Sequence, residues 1–424
     1  MSSGVRVVLI LLVISLLGGV ISGAVFYYRL AYLWIFLLAA SWLLSKFSLR
    51  GLELRRTARS QRSQVGQIFE ERFEVRNSSR LPRLWLEVRD SSTLPGSRGS
   101  QVLSMIGGRE SRSYLVRTRL KKRGVFPLGE TTLASGDLFG LFPVSHTFPA
   151  QESLLVYPMM VDVQAFPSPM GWLSGGEALR RRTHQITANA SGVREYAPGD
   201  PMNRIHWLST ARRNRVMVKE FELDPMAEVW IFVDAYRHVH FALPTPEITL
   251  DERDMWRASV QIPLPPSTEE YAVSVAASLA RFYLQRGRVV GLVSAGQNLS
   301  LLSAERGGRQ LGKVLEVLAL LQADGRLTIE SLIQAEVQAI PRGSTVVLIT
   351  PDQGDGVALS TELLIRRGMR PVVVLLDSAS FGGIKGVERV ENDLRLMRVP
   401  VCRIANGDNL AERLSDESQP QMWN

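Results

Sequence analysis

Val229-Trp230-Ile231-Phe232-Val233-Asp234 is an unbroken apolar run closed by a carboxylate. A short run of this kind, with no polar alternation, reads as a strand buried on both faces. The chain after it keeps returning to the same pattern. Val289–Val293, Thr345–Ile349, Pro371–Leu376 and Val399–Ile404 are further strands of this type. Between them lie stretches with helical spacing, and the clearest is Thr268–Arg286. Thr268 is placed to cap that helix, Glu269 and Glu270 suit its first turn, and Gly287 can end it. Leu299–Leu302 can return as a hairpin, and helices are predicted over Gln310–Gln322, Ile329–Ile340 and Leu359–Arg367. Strands alternating with helices predict an α/β unit with a mainly parallel sheet covered on both faces. Ligands of such sheets gather at the carboxyl ends of strands, which puts Asp234, Thr350 and Asp352 on one rim.

Upstream the period changes. Phe69, Phe73 and Val75, then Leu84, Leu86 and Val88, alternate with polar residues, and Ser111–Leu120 alternates again. Asn77-Ser78-Ser79, Pro95-Gly96 and Gly107-Gly108 punctuate these runs. Short period-2 strands at this spacing predict a small all-β sandwich over 48–150. Pro167–Glu177 is rich in Pro, Gly and Ser and reads as a loop, and Arg180-Arg181-Arg182 as part of a solvated linker.

The amino-terminal end is apolar. Val7–Tyr28 carries no charge and is long enough to cross ~30 Å of hydrocarbon. After Arg29, Leu30–Ser45 is a second uncharged run, with Tyr32, Trp34 and Trp42 as interfacial anchors. The pair predicts a transmembrane helical hairpin over 1–47 that turns around Tyr28 and Arg29. A signal peptide cleaved at Ser22-Gly23-Ala24 is the rival reading. Lys46, Arg50, Arg55, Arg56, Arg59 and Arg62 follow against Glu53 alone, and Arg6 precedes. Positive residues stay inside, so both ends of the hairpin and the bulk of the chain are expected on the cytoplasmic side of the plasma (inner) membrane.

These features constrain the composition argument. The chain has 424 residues, 45% hydrophobic and 21% charged, so it can bury a sizeable core. Its net charge of +9 would suit nucleic acid, but more than half of it sits directly behind the apolar hairpin, which suits a membrane surface and argues against nucleic acid. A single cysteine, Cys402, excludes a disulfide framework and a cysteine-based zinc cluster, and it reads as a small buried residue on the last strand.

The densest patterning lies between Ser191 and Glu222. Pro198-Gly199 is a turn, Asp200 is placed to cap a helix with Pro201 at its first position, and that helix is expected to run to about Arg213. Val216 and Val218 begin a strand. Arg194-Glu195-Tyr196, Pro198-Gly199-Asp200, Arg204-Ile205-His206-Trp207, Ala211-Arg212 and Lys219-Glu220-Phe221-Glu222 together resemble the signature of the domain of unknown function 58 family. Arg123-Gly124-Val125-Phe126-Pro127-Leu128-Gly129 resembles its R-G-x-[YF]-x-L-G turn. Asp137-Leu138-Phe139-Gly140-Leu141-Phe142 resembles its D-P-F-G-L-F, with Leu138 where Pro is usual. The resemblance spans nearly the whole chain. It implies a membrane-anchored relative of the von Willebrand factor A fold over 223–424, with 151–222 as the linker that carries the signature. It also implies work beside a MoxR-type AAA+ ATPase and no catalytic reaction of its own.

A von Willebrand A domain holds Mg²⁺ with a D-x-S-x-S loop after its first strand, a Thr and a later Asp. Asp234 matches the first position and Asp352 the later one, but Tyr236 and His238 stand where the serines would be. Asp234 with His238 and His240 is a second arrangement, suited to a transition metal. Among Arg194, Glu195, Tyr196, Gly199, Asp200, Arg204, His206, Trp207, Arg212, Lys219 and Glu220, an ion-pair and capping network is favoured, part of it serving as a docking surface. A metal-dependent ligand-binding domain with Asp234 and Asp352 as ligands is one alternative function, and a hydrolase using Glu195, Asp200 and His206 is a second. Trp207 reads as an anchor in the core or at a domain junction. No G-x-x-x-x-G-K-[ST], G-x-S-x-G, H-E-x-x-H or G-x-G-x-x-G occurs. The expectation is a non-catalytic scaffold with no required cofactor.

Overall fold

The computed structural model describes residues 3–150, 152–167, 190–197, 202, 205–221, 228–245 and 262–416, with backbone alone for 190–194 and 219–221. The chain divides into two compact units. Of the described residues, the first holds those within 3–159 together with 245, 262–264 and 315–320, and the second holds the others.

The first unit opens with two apolar helices, α1 (Ser3–Ser22) and α2 (Val25–Ser48), each long and apolar enough to cross a membrane. The turn between them is at Gly23 and Ala24, not at Tyr28 and Arg29 as the charge pattern suggested. Gly23 takes φ +64°, a left-handed conformation that suits glycine. Arg29 then sits inside α2, because a long cationic side chain can reach out from a helix without breaking it. Small residues line the contact between the helices. A Cβ on Gly18 would lie 2.9 Å from the Tyr27 ring, and one on Gly19 would lie 3.2 Å from Tyr28.

Ten strands follow: β1 (Leu52–Ala58), β2 (Arg62–Gln64), β3 (Ile68–Asn77), β4 (Arg83–Asp90), β5 (Gln101–Ile106), β6 (Ser111–Arg119), β7 (Gly124–Pro127), β8 (Thr131–Ser135), β9 (Val144–Phe148) and β10 (Ser153–Tyr157). They form sheets β1-β3-β6, β5-β4-β8-β9 and β2-β10-β7. Phe73, Val75, Leu86, Val88, Ile106 and Leu133 fill the space between the first two sheets. Val65, Phe69, Leu120, Leu128, Leu154 and Val156 form a second core. The unit runs past the expected boundary at 150, because β10 pairs with β7 and β2.

In the second unit, β11 (Ala190–Glu195), α3 (Trp207–Arg213) and β12 (Met217–Phe221) make a hairpin that encloses a short helix. The α/β part follows as β13 (Val229–Val233), α4 (Thr268–Gln285), β14 (Val290–Ala295), β15 (Leu299–Glu305), α5 (Gly308–Leu320), α6 (Ile329–Glu336), β16 (Thr345–Thr350), α7 (Asp355–Arg366), β17 (Arg370–Leu376), α8 (Val387–Leu396), β18 (Val401–Ile404) and α9 (Leu410–Ser415). The sheet order is β15-β14-β13-β16-β17-β18, with every pair parallel except β14–β15. β13, β14 and β16 are buried at every position, as their apolar sequences require, while the edge strand β15 alternates. Trp230, Phe232, Leu332, Leu348, Val373 and Leu394 belong to the large core beneath α6, α7 and α8.

Two start signals are displaced. Ser267, not Thr268, occupies the cap position of α4, while the Thr268 hydroxyl, 3.2 Å from the Phe241 carbonyl oxygen, also receives the Phe241 amide. The helix expected from Asp200 begins at Trp207, and its cap is His206. Residues 198–201 and 168–189 lie outside the described residues, as do the Arg180-Arg181-Arg182 run and most of the Pro/Gly-rich loop.

Candidate functional site

The carboxyl ends of β13 and β16 bring Asp234, Thr350 and Asp352 together. The Asp234 amide continues the ladder onto the Ile349 carbonyl at 2.9 Å, which fixes the carboxylate just beyond the sheet. Asp234 Oδ2 accepts the Thr350 hydroxyl at 2.6 Å, and Oδ1 accepts the Tyr236 amide at 2.9 Å. Thr350 Oγ1 in turn accepts the Asp352 amide, and Asp352 Oδ1 accepts the Gly354 amide, both at 2.9 Å. Burial pushes the Asp234 carboxyl up to about 7; the two donated hydrogen bonds oppose the shift and the Asp352 charge adds to it. Ser378, just past β17, donates to the Pro351 carbonyl at 2.6 Å and ties the next loop to the same rim.

Of the oxygen set that Mg²⁺ takes in a D-x-S-x-S site, the rim brings together Asp234, Thr350 and Asp352, while Tyr236 and His238 stand in place of the two serines. Tyr236 offers its backbone amide to Asp234, and its ring packs edge-on against His238 at 5.2 Å. Both Asp234 oxygens already accept protein donors. The histidines do not form a transition-metal site with Asp234. His240 Nε2 lies 3.0 Å from the Asp234 carbonyl oxygen, not its carboxylate, and its Nδ1 lies 3.0 Å from Thr268 Oγ1. His238 Nε2 accepts from Arg237 Nε at 3.0 Å. Among the described residues no group of three or more His, Cys, Asp or Glu side chains is placed to hold a metal.

The signature residues occupy the β11–α3–β12 hairpin. Arg194 pairs with Val218 and Glu195 with Met217 across the ladder, and the Tyr196 amide donates to Val216 at 2.9 Å. The Glu195 carboxylate meets Arg215 at 2.8 Å in an exposed ion pair. His206 Nδ1 receives the Ser209 amide at 3.2 Å, which satisfies one of the free donors at the start of α3. Asn214, in the left-handed conformation, ends the helix. Glu195 and His206 are thus engaged separately, one in an ion pair and one in a cap. Gly199, Asp200 and Arg204 lie outside the described residues, as do the side chains of Arg194, Lys219 and Glu220. Met217 and Val218 are buried. Trp207 is not a core anchor: it is 71% exposed, Leu208 beside it is 61% exposed, and α3 buries none of its residues. Arg212 and Arg213 are exposed on the same helix.

Two arrangements escaped the sequence reading. The Asp377 carboxylate, at the end of β17, pairs with Arg403 of β18 at 2.6 Å, and Arg403 also reaches Glu388. Asp137 is buried in the first unit and accepts the amides of Phe139 at 3.0 Å and Phe142 at 2.7 Å. Burial pushes its carboxyl up, but the backbone donors outweigh burial and hold it below its ordinary value. An aspartate two residues before a Phe-Gly turn is the signal that could have revealed this cap.

Residues 192–245, from β11 through the His238–His240 loop, match the family described as Protein of unknown function DUF58. Over 208 residues the chain is 24% identical to "Uncharacterized protein YeaD" of Bacillus subtilis (strain 168). That match takes in 48% of this chain and 44% of the relative, so the chain spans less than half of the relative's length. Among solved structures, the CARDB domain of a Pyrococcus furiosus protein is similar over 25% of this chain and 91% of its own, at 13% identity and a TM-score of 0.18. A beta-glucosidase from Listeria innocua is similar over 25% of this chain and 16% of its own, at 8% identity and a TM-score of 0.16. Neither likeness is strong enough to define a fold.

Proposed function

We propose that the protein is a membrane-anchored, non-catalytic docking module whose partner is a MoxR-type AAA+ ATPase. The observation that carries this reading is the exposed aromatic and apolar surface of α3, within the segment that matches the uncharacterised family. Trp207 and Leu208 stand in solvent beside Arg212 and Arg213, and Trp and Arg are the residue types that most often anchor protein interfaces. The sheet supports a von Willebrand A-like reading of the α/β part: β13 is central, β15 is the antiparallel edge, and Asp234 closes the first strand. The loop after β13 has Tyr236 and His238 in place of that fold's two serine hydroxyls, so docking is assigned to α3 and not to a bridging cation. Helices α1 and α2 hold the module at the inner membrane, and the basic residues behind them keep both units cytoplasmic.

The test is capture by the full chain, extracted in detergent, with the captured proteins identified by mass spectrometry. Recovery of an AAA+ ATPase is expected, with binding weakened at least about tenfold in Trp207→Ala. Recovery of no ATPase with ATP, ADP or no nucleotide would contradict the proposal. So would equal capture by a Trp207→Ala/Leu208→Ala double variant.

A further inference from the structure

The segment Leu138-Phe139-Gly140-Leu141-Phe142-Pro143-Val144-Ser145 carries no charge and follows the buried, fully engaged Asp137. Its two halves have opposite fates. Leu141 is buried in one cluster with Val5 and Val8 of α1, and Leu9, Trp34, Leu37, Leu38 and Phe142 pack around that cluster. The Phe142 carbonyl accepts the Ser45 hydroxyl of α2 at 2.6 Å. Leu138 and Phe139, at the tip of the same turn, are 62% and 64% exposed. Gly140 takes φ +65°, a left-handed conformation that suits glycine within the turn.

The position of the turn along the helices decides what covers that pair. Val5 and Val8 lie within the first two turns of α1, and Ser45 lies in the last turn of α2. At 1.5 Å per residue these positions fall within roughly 10 Å of the helix ends from which the rest of the unit emerges. That end also carries Lys46 over the Trp42 ring at 4.9 Å and Arg50 over Phe47 at 4.9 Å, a pairing of aromatic rings with cations that suits the headgroup layer. We infer that the Asp137–Phe142 turn is an interfacial membrane anchor that seats Leu138 and Phe139 at the boundary between headgroups and acyl chains, and so fixes the β unit against the lipid surface. Burying two such side chains at that boundary adds to the hold of the helices by the ordinary hydrophobic effect. The inference rests on the reading of α1 and α2 as spanning helices.

The experiment uses the full chain in phosphatidylcholine vesicles, with Cys402 replaced by Ala. An environment-sensitive fluorophore is placed at Phe139→Cys, at Ile14→Cys in mid-α1 and at Arg98→Cys on a distant loop, and lipids with nitroxides at the headgroup or along the acyl chain serve as quenchers. Loss of fluorescence and a blue shift at 139, strongest with the headgroup and shallow-chain nitroxides, together with quenching at 14 by deep nitroxides and none at 98, are expected. Quenching at 14 with none at 139 overturns the interfacial anchor and leaves the spanning helices standing. No quenching at either site overturns both. A Phe139→Ala/Leu138→Cys variant repeats the reading from the neighbouring residue, so that a local effect of one label does not decide the outcome.

Discussion

Asp234 is buried at the end of a strand, and its proton is the way the fold tolerates it. Its carboxyl titrates near 7 when folded, against an ordinary value of 3.8. Between these values the native state holds a proton that the unfolded chain has lost. The stabilising contribution is therefore complete below the unfolded value and disappears as pH rises to about 7. Asp234→Asn keeps an acceptor for the Tyr236 amide and removes the titration. Its melting temperature is expected to vary less than wild type across that window and to exceed wild type at higher pH, where the loss is on the order of a few kcal/mol. Parallel melting curves for the two proteins would contradict this. His206→Ala should cost about 1 kcal/mol through loss of the α3 cap, with faster hydrogen exchange at Ser209 and partial recovery in His206→Asn. The sequence alone placed Asp234, Thr350 and Asp352 on one rim, because strand ends are readable from apolar runs. It could not show that His206 caps a helix, since Asp200-Pro201 is the stronger local start signal.

At the scale of elements, the rim depends on one glycine. The amide of Gly325, in the loop between α5 and α6, donates to Ala235 at 2.9 Å, and its carbonyl accepts the Arg237 amide at 3.1 Å. A Cβ there would collide with the Ala295 carbonyl oxygen and crowd that of Ala235, both of them backbone atoms that cannot swing away. Gly325→Ala is therefore expected to cost more than about 3 kcal/mol, read as a lower denaturation midpoint, whereas Gly312→Ala, in open space on α5, should be neutral or stabilising. Strands β13, β14, β16 and β17 were legible because burial on both faces writes itself as uninterrupted Val, Ile and Leu. Helix α8 was not, because it buries only Val387, Val390 and Leu394 in an otherwise charged stretch. The hairpin turn was misplaced for a similar reason: Arg29 looked like a boundary, while the geometry turned on Gly23.

For the whole molecule, two apolar helices open the first of two units. The hairpin was plain in the sequence as composition. The contact of the Asp137–Phe142 turn with it was invisible, because it joins positions about a hundred residues apart. If the helices span the bilayer, alkaline washing should leave the full chain with the membrane pellet, and release into the supernatant would count against it. The sharpest test is sidedness in intact cells, read with a membrane-impermeant maleimide. Cys402 is buried and should stay silent, so single cysteines at Ala24, Arg98 and Arg326 report on the helical turn and the two units. Labelling at 24 from outside, with labelling at 98 and 326 only after permeabilisation, is the expected result; labelling of 98 or 326 in unbroken cells would contradict a body held on the cytoplasmic face.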